Sequence, residues 1–319
     1  MAAYRNNARL VEIDRPHFLS IGRICFDVQG EGRILGGSAA YSAILARNLG
    51  YRSAIVTSAG QDFPQDTFPY DILLKIQVGE VTTTFINHST QHGRDQFVRS
   101  IANPIEPVSI PESWLESDIV YLCPILNDFD PDIINCLRPA LVGVAPQGWM
   151  RTVGNRGRVY KRRFEELEMV VPQADVVIVS EEDACPEDLQ KLTQHSHILV
   201  VTRGRNGADL FWQWGRYYKH IPAFGREEID ETGAGDVFGA AFLLRYEETK
   251  DAVESALFAS WMASFVVQGR GTKAIPGKAE MLMAPEAAPE HDSIYNLQFL
   301  SHRKQHIEIP RQIDHAPCE

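Results

Sequence analysis

The sequence lacks several patterns that identify common protein classes. Among its 319 residues, no uninterrupted apolar run reaches the roughly 18 residues that suggest a transmembrane helix, and the N-terminal segment has no apolar core typical of a secretory signal. It contains no GxxxxGKS/T phosphate loop, no GxGxxG opening a helix after its first predicted strand, and no GxSxG or HExxH motif. These absences disfavour P-loop NTPases, dinucleotide-binding Rossmann proteins and the corresponding hydrolases.

Cysteine is scarce and irregularly spaced. The cysteines are Cys25, Cys123, Cys136, Cys185 and Cys318, an odd number with no CxxC pair. This pattern favours free thiols over a disulfide framework, and it predicts a reducing compartment such as the cytoplasm.

Positive charge is also in the minority. The chain has 31 Lys and Arg against 42 Asp and Glu, a formal net charge of −11. This balance disfavours nucleic acid and anionic membranes as partners and leaves a small molecule as the expected substrate. An anionic ligand would need local positive potential from backbone amides, a helix terminus or a bound cation.

Short apolar runs alternate with helical stretches. The predicted strands are Phe18–Ile24, Ala54–Ser58, Ile119–Pro124, Leu141–Val144, Val176–Ser180, Ile198–Thr202 and Ala208–Trp212. The predicted helices are Ser38–Leu49, Pro131–Leu137, Pro186–Gln194, Ala234–Tyr246 and Asp251–Val267. Strands that are apolar at consecutive positions are typical of parallel sheets covered on both faces. The order predicts an α/β fold with a doubly wound, mainly parallel sheet flanked by helices.

Two β-rich runs, Thr82–Asn87 and Gln96–Ile101, interrupt this alternation without a helix between them. They predict an antiparallel hairpin, at about residues 79–105, that is either a small lid over a site or an ordinary edge hairpin. We expect one domain over residues 1–275. Residues 276–319, with weak periodicity, are expected to wrap the surface or to be partly disordered.

A glycine-rich stretch is the most informative part of the sequence. Residues 230–236 read DETGAGD and precede the apolar run VFGAAFLL. Glycine lets the backbone approach a ligand closely, and free N–H groups at a helix start bind anions. A carboxylate at the same helix start, Asp236, can take the proton of a hydroxyl that attacks phosphorus. A bare GxGD pattern is also typical of a tight helix entry.

The whole seven-residue stretch resembles the signature of the ribokinase-like (PfkB) family of sugar and nucleoside kinases. The resemblance implies a ribokinase-like fold, ATP as phosphate donor and Mg²⁺ as cofactor. It also implies that Gly233, Ala234 and Gly235 form the anion hole for the transferring phosphoryl group and that Asp236 is the catalytic base.

The resemblance extends to other segments, which fall in the order that this family requires. It implies that the phosphate acceptor contacts Asp27, Gly36, Gly37 and Arg94. It implies that ATP lies along Ser180, Thr202, Gly204, Gly207, Gly269 and Gly271. It assigns Mg²⁺ to Asp183 and a monovalent cation, K⁺, to Asp230 and Thr232.

The chain departs from the family pattern at several positions. Tyr41 and Ser180 stand where many members have asparagine, and the stretch between Asp27 and Gly36 is short, which predicts that the first lid hairpin is trimmed away. The compact lid and the segment Ala145–Trp149 resemble the inositol-kinase-like branch.

The predicted function is transfer of the γ-phosphoryl group of ATP to a hydroxyl of a small neutral polyol, sugar or nucleoside. A catalytically weak or inactive ligand-binding protein on the same fold is the main alternative, and a hydroxymethyl-pyrimidine-type acceptor is a further one. The sequence leaves open whether the protein is a monomer or a homodimer.

Overall fold

The computed structural model describes residues 15–29, 32–64, 67–90, 93–285 and 295–296. The strands are β1 Phe18–Ile21, β2 Cys25–Gln29, β3 Gly32–Gly36, β4 Ser53–Gly60, β5 Leu73–Gly79, β6 Thr83–Thr90, β7 Gly93–Ser100, β8 Ile119–Leu122, β9 Leu141–Val144, β10 Arg151–Val153, β11 Val159–Lys161, β12 Val176–Ser180, β13 Ile198–Thr202, β14 Ala208–Trp212, β15 Tyr217–Ile221 and β16 Tyr295–Asn296. The α-helices are α1 Ser38–Asn48, α2 Leu167–Val170, α3 Pro186–His195, α4 Ala234–Thr249, α5 Ala252–Val266 and α6 Lys278–Leu282. Every helix in this described part of the chain is too short or too polar to cross a membrane.

The main sheet has the strand order β16-β15-β14-β13-β12-β9-β8-β1-β4-β5. Its central pairs, from β13 through β12, β9, β8, β1 and β4 to β5, are all parallel. Strands β14, β15 and β16 add an antiparallel edge. The predicted doubly wound, mainly parallel α/β sheet is therefore confirmed.

Both faces of the sheet are buried, and the strands divide their side chains between two cores. In β12, Val176 and Ile178 belong to one core, whereas Val177 and Val179 belong to the other. Helices α1, α4 and α5 cover the first core, and α2, α3 and short 3₁₀ turns cover the second. The result is the three-layer arrangement that consecutive apolar residues in a strand predict.

A second, four-stranded sheet of order β3-β2-β6-β7 lies beside the main sheet and forms the lid. The prediction that the first lid hairpin is trimmed away is wrong, because β2 and β3 pair antiparallel from Cys25–Gly36 to Gln29–Gly32. Two five-residue strands fit into this short stretch because only two residues separate them along the chain. A further two-stranded hairpin, β10–β11, adjoins β7 through a bridge between Arg158 and Phe97.

Some predicted boundaries also differ from the structure. The segment Pro131–Leu137 is a 3₁₀ helix over Pro131–Cys136, which begins with the Asp130 side chain accepting the Asp132 N–H. Pro139 follows closely and disfavours helical backbone at the residue before it, so the segment is too short for an α-helix. Most of the predicted tail lies outside the described residues.

The prediction of free thiols holds in part. It is confirmed for Cys25, Cys123 and Cys136, and it is wrong for Cys185, which is disulfide-bonded. Spacing along the chain does not reveal which sulfurs the fold brings within reach. Cys318 lies outside the described residues.

A buried ion pair joins the segment after β1 to the loop after β8. Arg23 is 2% exposed and Asp128 is fully buried, with 3.3 Å between Arg23 Nη1 and Asp128 Oδ1. Asp128 also accepts the backbone N–H groups of Arg23, Ile125 and Leu126 at 2.7, 3.0 and 2.8 Å. Burial lowers the pKa of Arg23, and the neighbouring Asp128 carboxylate acts in the opposite direction. This pair holds the segment after β1 against the loop after β8, and Ile125 of that loop lines the cleft described next.

Candidate active site

A cleft of about 1140 Å³ runs between the main sheet and the lid. Residues that follow the carboxyl ends of β12 and β13 line one part of it, and residues of β2 and β7 line another. In open α/β sheets, ligands bind at this end of the strands. The volume exceeds that of a typical single small-molecule pocket, so the cleft can hold a donor and an acceptor together.

Asp236 lies where two helices begin. It is in the first turn of α4, and its Oδ1 accepts a hydrogen bond of 2.6 Å from Ser38 Oγ at the start of α1. Burial raises the pKa of Asp236 above the ordinary range of an aspartate. The Ser38 hydrogen bond and Arg151 lower that pKa, whereas Asp183 and Asp27 raise it further. Asp236 is therefore a carboxylate with an elevated proton affinity at a helix N-terminus in a cleft.

The glycine turn before α4 leaves an open surface beside Asp236. Gly233 has φ +88°, and a Cβ placed there would lie 2.1 Å from Cε1 of the buried Tyr41 ring. By contrast, a Cβ at Gly235 would meet no atom within 4 Å, and Gly235 lines the cleft. The buried tyrosine thus lies behind the turn, and the open side of the turn faces the space that a ligand could fill.

This difference predicts opposite results for two matched substitutions. Gly233→Ala should destabilise the protein by about 1–3 kcal/mol, because the left-handed backbone strains alanine and the new methyl group collides with Tyr41. Gly235→Ala should leave the free energy of unfolding nearly unchanged and instead weaken binding of ligands in the cleft. Chemical denaturation and calorimetric titration of both variants check this; equal destabilisation by the two substitutions would contradict it.

On the lid side, a chain of hydrogen bonds begins at Asp27. Asn87 Nδ2 donates to Asp27 Oδ1 at 2.8 Å, and Gln96 Nε2 donates to Asn87 Oδ1 at 3.1 Å. Gly36 packs against this carboxylate, since a Cβ there would lie 2.4 Å from Asp27 Oδ2. Asp27 and Gln96 both line the cleft. They present polar atoms of the kind that hydroxyl groups bind.

Arg151 joins this chain to Asp183. Arg151 Nη1 donates to Gln96 Oε1 at 3.3 Å, and Nη2 donates to Asp183 Oδ1 at 2.8 Å. Gln147 Nε2 donates to Asp183 Oδ2 at 2.7 Å. The side chains of Arg151 and Asp183 are 18% and 13% exposed, so water and salt screen this ion pair only weakly.

The turn after β13 lines the opposite part of the cleft, together with Ser180. Thr202, Gly204 and Gly207 all lie on this surface, and a Cβ at Gly204 would meet no atom within 4 Å. Ser180 Oγ accepts the Glu182 N–H at 3.2 Å, so its hydroxyl caps a turn at the end of β12. These residues form a backbone-lined surface that suits phosphate groups.

Several predicted residues are not on the cleft surface. Gly269 packs against Ala274, and Gly271 packs against Ile34 of the lid. Gly36 and Asp230 are also absent from the residues that line the cleft. Arg94 belongs to β7, but its side chain lies outside the described part of the chain. The structure thus brings together Asp27, Gly37, Ser180, Asp183, Thr202, Gly204, Gly207 and residues 232–236.

The cleft residues offer few free ligands to a metal ion. Both oxygens of Asp183 already accept hydrogen bonds, from Arg151 and Gln147. Among the described residues, no group of three or more His, Cys, Asp or Glu side chains could hold a metal ion. Mg²⁺ commonly binds through substrate phosphates, waters and one or two carboxylates. The cleft therefore fits a metal that arrives with its phosphate ligand.

The predicted monovalent-cation site stays a prediction. At this position the Thr232 N–H donates to Asp230 Oδ1 at 3.0 Å.

Sequence reasoning missed Gln96, Arg151 and Lys161, which line the cleft, and Asn87, which donates a hydrogen bond to Asp27. The segment Ala145–Trp149 was the available signal, since it contains Gln147 and directly precedes Arg151. The partners of Arg151 are 55 and 32 positions away along the chain, so only the fold reveals the contacts.

This combination of a three-layer α/β fold, a β lid and a glycine turn with an aspartate at a helix start defines a ribokinase-like kinase. The sequence profile of the pfkB family carbohydrate kinases matches residues 127–278. Over these residues the chain is similar to this family, and it is a phosphotransferase with an alcohol group as acceptor.

Two curated relatives act on different acceptors. The cytidine kinase of Thermococcus kodakarensis is 25% identical over 235 residues, covering 69% of this chain and 82% of that protein. The inositol 3-kinase of Zea mays is 25% identical over 279 residues, covering 79% of this chain and 72% of that protein.

Two solved structures share the fold. A pyrophosphate-dependent kinase of the ribokinase family, in a sulfate complex, has a TM-score of 0.71 at 21% identity over 84% of this chain and 100% of that one. A fructokinase of Vibrio cholerae, bound to fructose, ADP and calcium, has a TM-score of 0.66 at 21% identity over 86% of this chain and 100% of that one.

Proposed function

We propose that the protein transfers the γ-phosphoryl group of ATP to a hydroxyl of a small neutral polyol, sugar or nucleoside. The observation that carries the proposal is Asp236, a carboxylate of raised pKa in the first turn of α4, beside the open surface of Gly235. Asp236 takes the proton of the acceptor hydroxyl as its oxygen attacks phosphorus. The N–H groups of residues 233–236 stabilise the negative charge on the transferring group.

The remaining residues position the two substrates. The acceptor lies under the lid, where Asp27 and the backbone of Gly37 contact its hydroxyls. The donor phosphates lie along Ser180 and the Thr202–Gly207 turn. Mg²⁺ would be held by the donor phosphates and by carboxylates among Glu181, Glu182 and Asp183, and it would neutralise phosphate charge. The lid excludes water from the transfer, which limits hydrolysis of the donor.

Inorganic pyrophosphate is a second candidate donor. Beyond the likeness to a pyrophosphate-dependent kinase, one local feature favours it. Arg226 Nε donates to Ser264 Oγ at 2.7 Å, and its guanidinium carbon lies 3.5 Å from the centre of the Phe265 ring. Arg226 therefore lies against α5 on the side where Ser264 lines the cleft. A guanidinium there can donate hydrogen bonds to the phosphate oxygens of pyrophosphate.

A donor-by-acceptor screen tests both proposals. The purified protein is incubated with Mg²⁺ and either ATP or pyrophosphate, against panels of inositols, sugars and nucleosides. We expect one donor to yield a phosphate monoester, detected by ³¹P NMR and mass spectrometry, and the Asp236→Asn variant serves as the blank. Calorimetric binding of an acceptor without donor consumption would instead support the non-catalytic alternative.

A further inference from the structure

The hairpin β10–β11 and the residues after it form the most basic segment of an acidic chain. Between residues 151 and 163 there is no Asp or Glu, and the cationic residues are Arg151, Arg156, Arg158, Lys161, Arg162 and Arg163. Three of these, Arg151, Arg158 and Lys161, line the cleft. The cluster therefore places positive charge at the cleft of a chain whose net charge is −11.

Strand register places two of these cations on the same face. Arg151 and Lys161 are direct Cα partners in the antiparallel β10–β11 pair, so their side chains project to the same side of the hairpin. Val159, two residues before Lys161, packs against a small lid core that includes Phe85 and Val98. This contact anchors the hairpin on the lid with its cationic end over the cleft.

Most neighbouring cations are already neutralised, but Lys161 is not. Arg158 pairs with Asp95 at 2.8 Å, and Arg162 and Arg163 pair with Glu166 and Asp188 at 3.5 and 3.6 Å. Among the described residues, the ammonium group of Lys161 has no ion-pair or hydrogen-bond partner, although Lys161 lines the cleft. An ammonium group in this position is available to an anionic ligand.

Arg151 also keeps binding capacity. A guanidinium carries five N–H donors in a fixed fork, and the contacts to Asp183 and Gln96 use three of them. The Asp183 carboxylate and the Gln96 amide hold the Arg151 guanidinium in one orientation. Its two remaining N–H groups can donate hydrogen bonds to a ligand. Arg151 also lies close enough to Asp236 to lower its pKa, which locates it near the group that we propose as the base.

We infer that Arg151 and Lys161 form a cationic clamp for the phosphoryl group in transit between donor and acceptor. The inference rests on the proposed function. The acceptor oxygen forms its bond to phosphorus as the bond to the donor's bridging oxygen breaks. That oxygen leaves with the electron pair, and the hydroxyl proton passes to Asp236. The clamp and the 233–236 amides bind the transferring oxygens from opposite sides, the clamp from the lid and the amides from α4.

The test compares two substitutions that each remove one positive charge from the same hairpin. Lys161→Met removes a cleft cation. Arg156→Asn is the matched control, since Arg156 is exposed, lies away from the cleft and has φ +59°, a backbone conformation that asparagine tolerates. The probe is inorganic pyrophosphate with Mg²⁺, titrated calorimetrically into the wild type and both variants. We expect Lys161→Met to weaken binding by about 10- to 100-fold, as for the loss of a charged hydrogen bond, and Arg156→Asn to leave it within about twofold.

Once the donor-by-acceptor screen has identified an acceptor, steady-state kinetics of Lys161→Met provide a second test of the clamp. Lys161→Met should lower kcat by a similar factor with little change in the KM of the acceptor. An increase confined to the acceptor KM would overturn the clamp. The calorimetric results that would overturn it are equal pyrophosphate affinity in the two variants and no pyrophosphate binding by the wild type. Circular dichroism and thermal unfolding confirm that Lys161→Met is folded. Selective loss of pyrophosphate binding in Lys161→Met, without turnover of any acceptor by the wild type, would refute the proposed kinase activity and overturn the clamp as a device for transfer, and it would show that Lys161 binds an anion.

Discussion

Replacing Asp236 by asparagine should lower turnover by a factor of about 10² to 10⁴ and leave donor binding nearly unchanged. Asparagine keeps the size of the side chain and an oxygen that can accept the Ser38 hydroxyl, so the start of α4 is expected to stay in place. The substitution removes only the ability to take a proton. Steady-state kinetics with an identified substrate pair, together with calorimetric donor binding, measure both quantities. Unchanged turnover would refute the assignment of the base.

The pH profile supplies an independent check of the same group. The base acts only when ionised, so kcat/KM should fall on the acidic side as Asp236 becomes protonated. Burial together with Asp183 and Asp27 raises the pKa of Asp236, whereas the Ser38 hydrogen bond and Arg151 lower it. Ser38→Ala removes a hydrogen bond that stabilises the carboxylate, so the acidic limb should move to higher pH. A shift to lower pH would contradict this account.

Replacing Asp128 by alanine should cost about 3–5 kcal/mol of stability, the range found when one partner of a buried ion pair is removed. The change leaves the guanidinium of Arg23 buried without its counter-charge, because Arg23 is 2% exposed. It also removes the acceptor for the N–H groups of Arg23, Ile125 and Leu126. Denaturant unfolding with comparable m-values measures the loss.

The matched control is an exposed ion pair. Glu168 and Lys191 are 2.9 Å apart, with side chains 65% and 47% exposed. Exposed pairs often contribute nothing measurable, so Glu168→Ala should leave the unfolding midpoint unchanged. If both variants lost the same stability, the buried pair would not have the structural importance that its contacts indicate.

Buried strands were the part of the fold that sequence reasoning predicted best. The predicted bounds of β12 and β13, Val176–Ser180 and Ile198–Thr202, coincide with the structure, because burial on both faces makes the first four residues of each strand apolar. Strand β5 escaped prediction because Lys75 and Gln77 interrupt its apolar pattern at the edge of the sheet. The first strand ends before its predicted limit because the backbone N–H groups of Arg23 and Ile24 donate to the side chains of Asp128 and Thr57 and not to the backbone of a neighbouring strand.

The residues of the candidate active site were also predictable only in part. Asp236 and its glycines stand in one contiguous motif, so local reasoning could find them. Arg151 was not predictable, because its environment depends on Gln96 in the lid and Asp183 after β12. Tyr41 stands where many family members have an asparagine, yet in the structure it is buried behind Gly233. A departure from a family pattern can therefore reflect packing beneath a site as well as a change in its chemistry.

The hydrogen bond from Ser38 to Asp236 has a mechanical consequence. Strand β3 of the lid ends at Gly36, and α1 begins at Ser38, so a single residue, Gly37, separates the lid from the hydroxyl that holds Asp236. A displacement of the lid strand is therefore transmitted to the donor of this hydrogen bond through one residue of φ +98°. Two peptide units, from Gly36 to Ser38, thus link the position of the lid to the proton affinity of the Asp236 carboxylate.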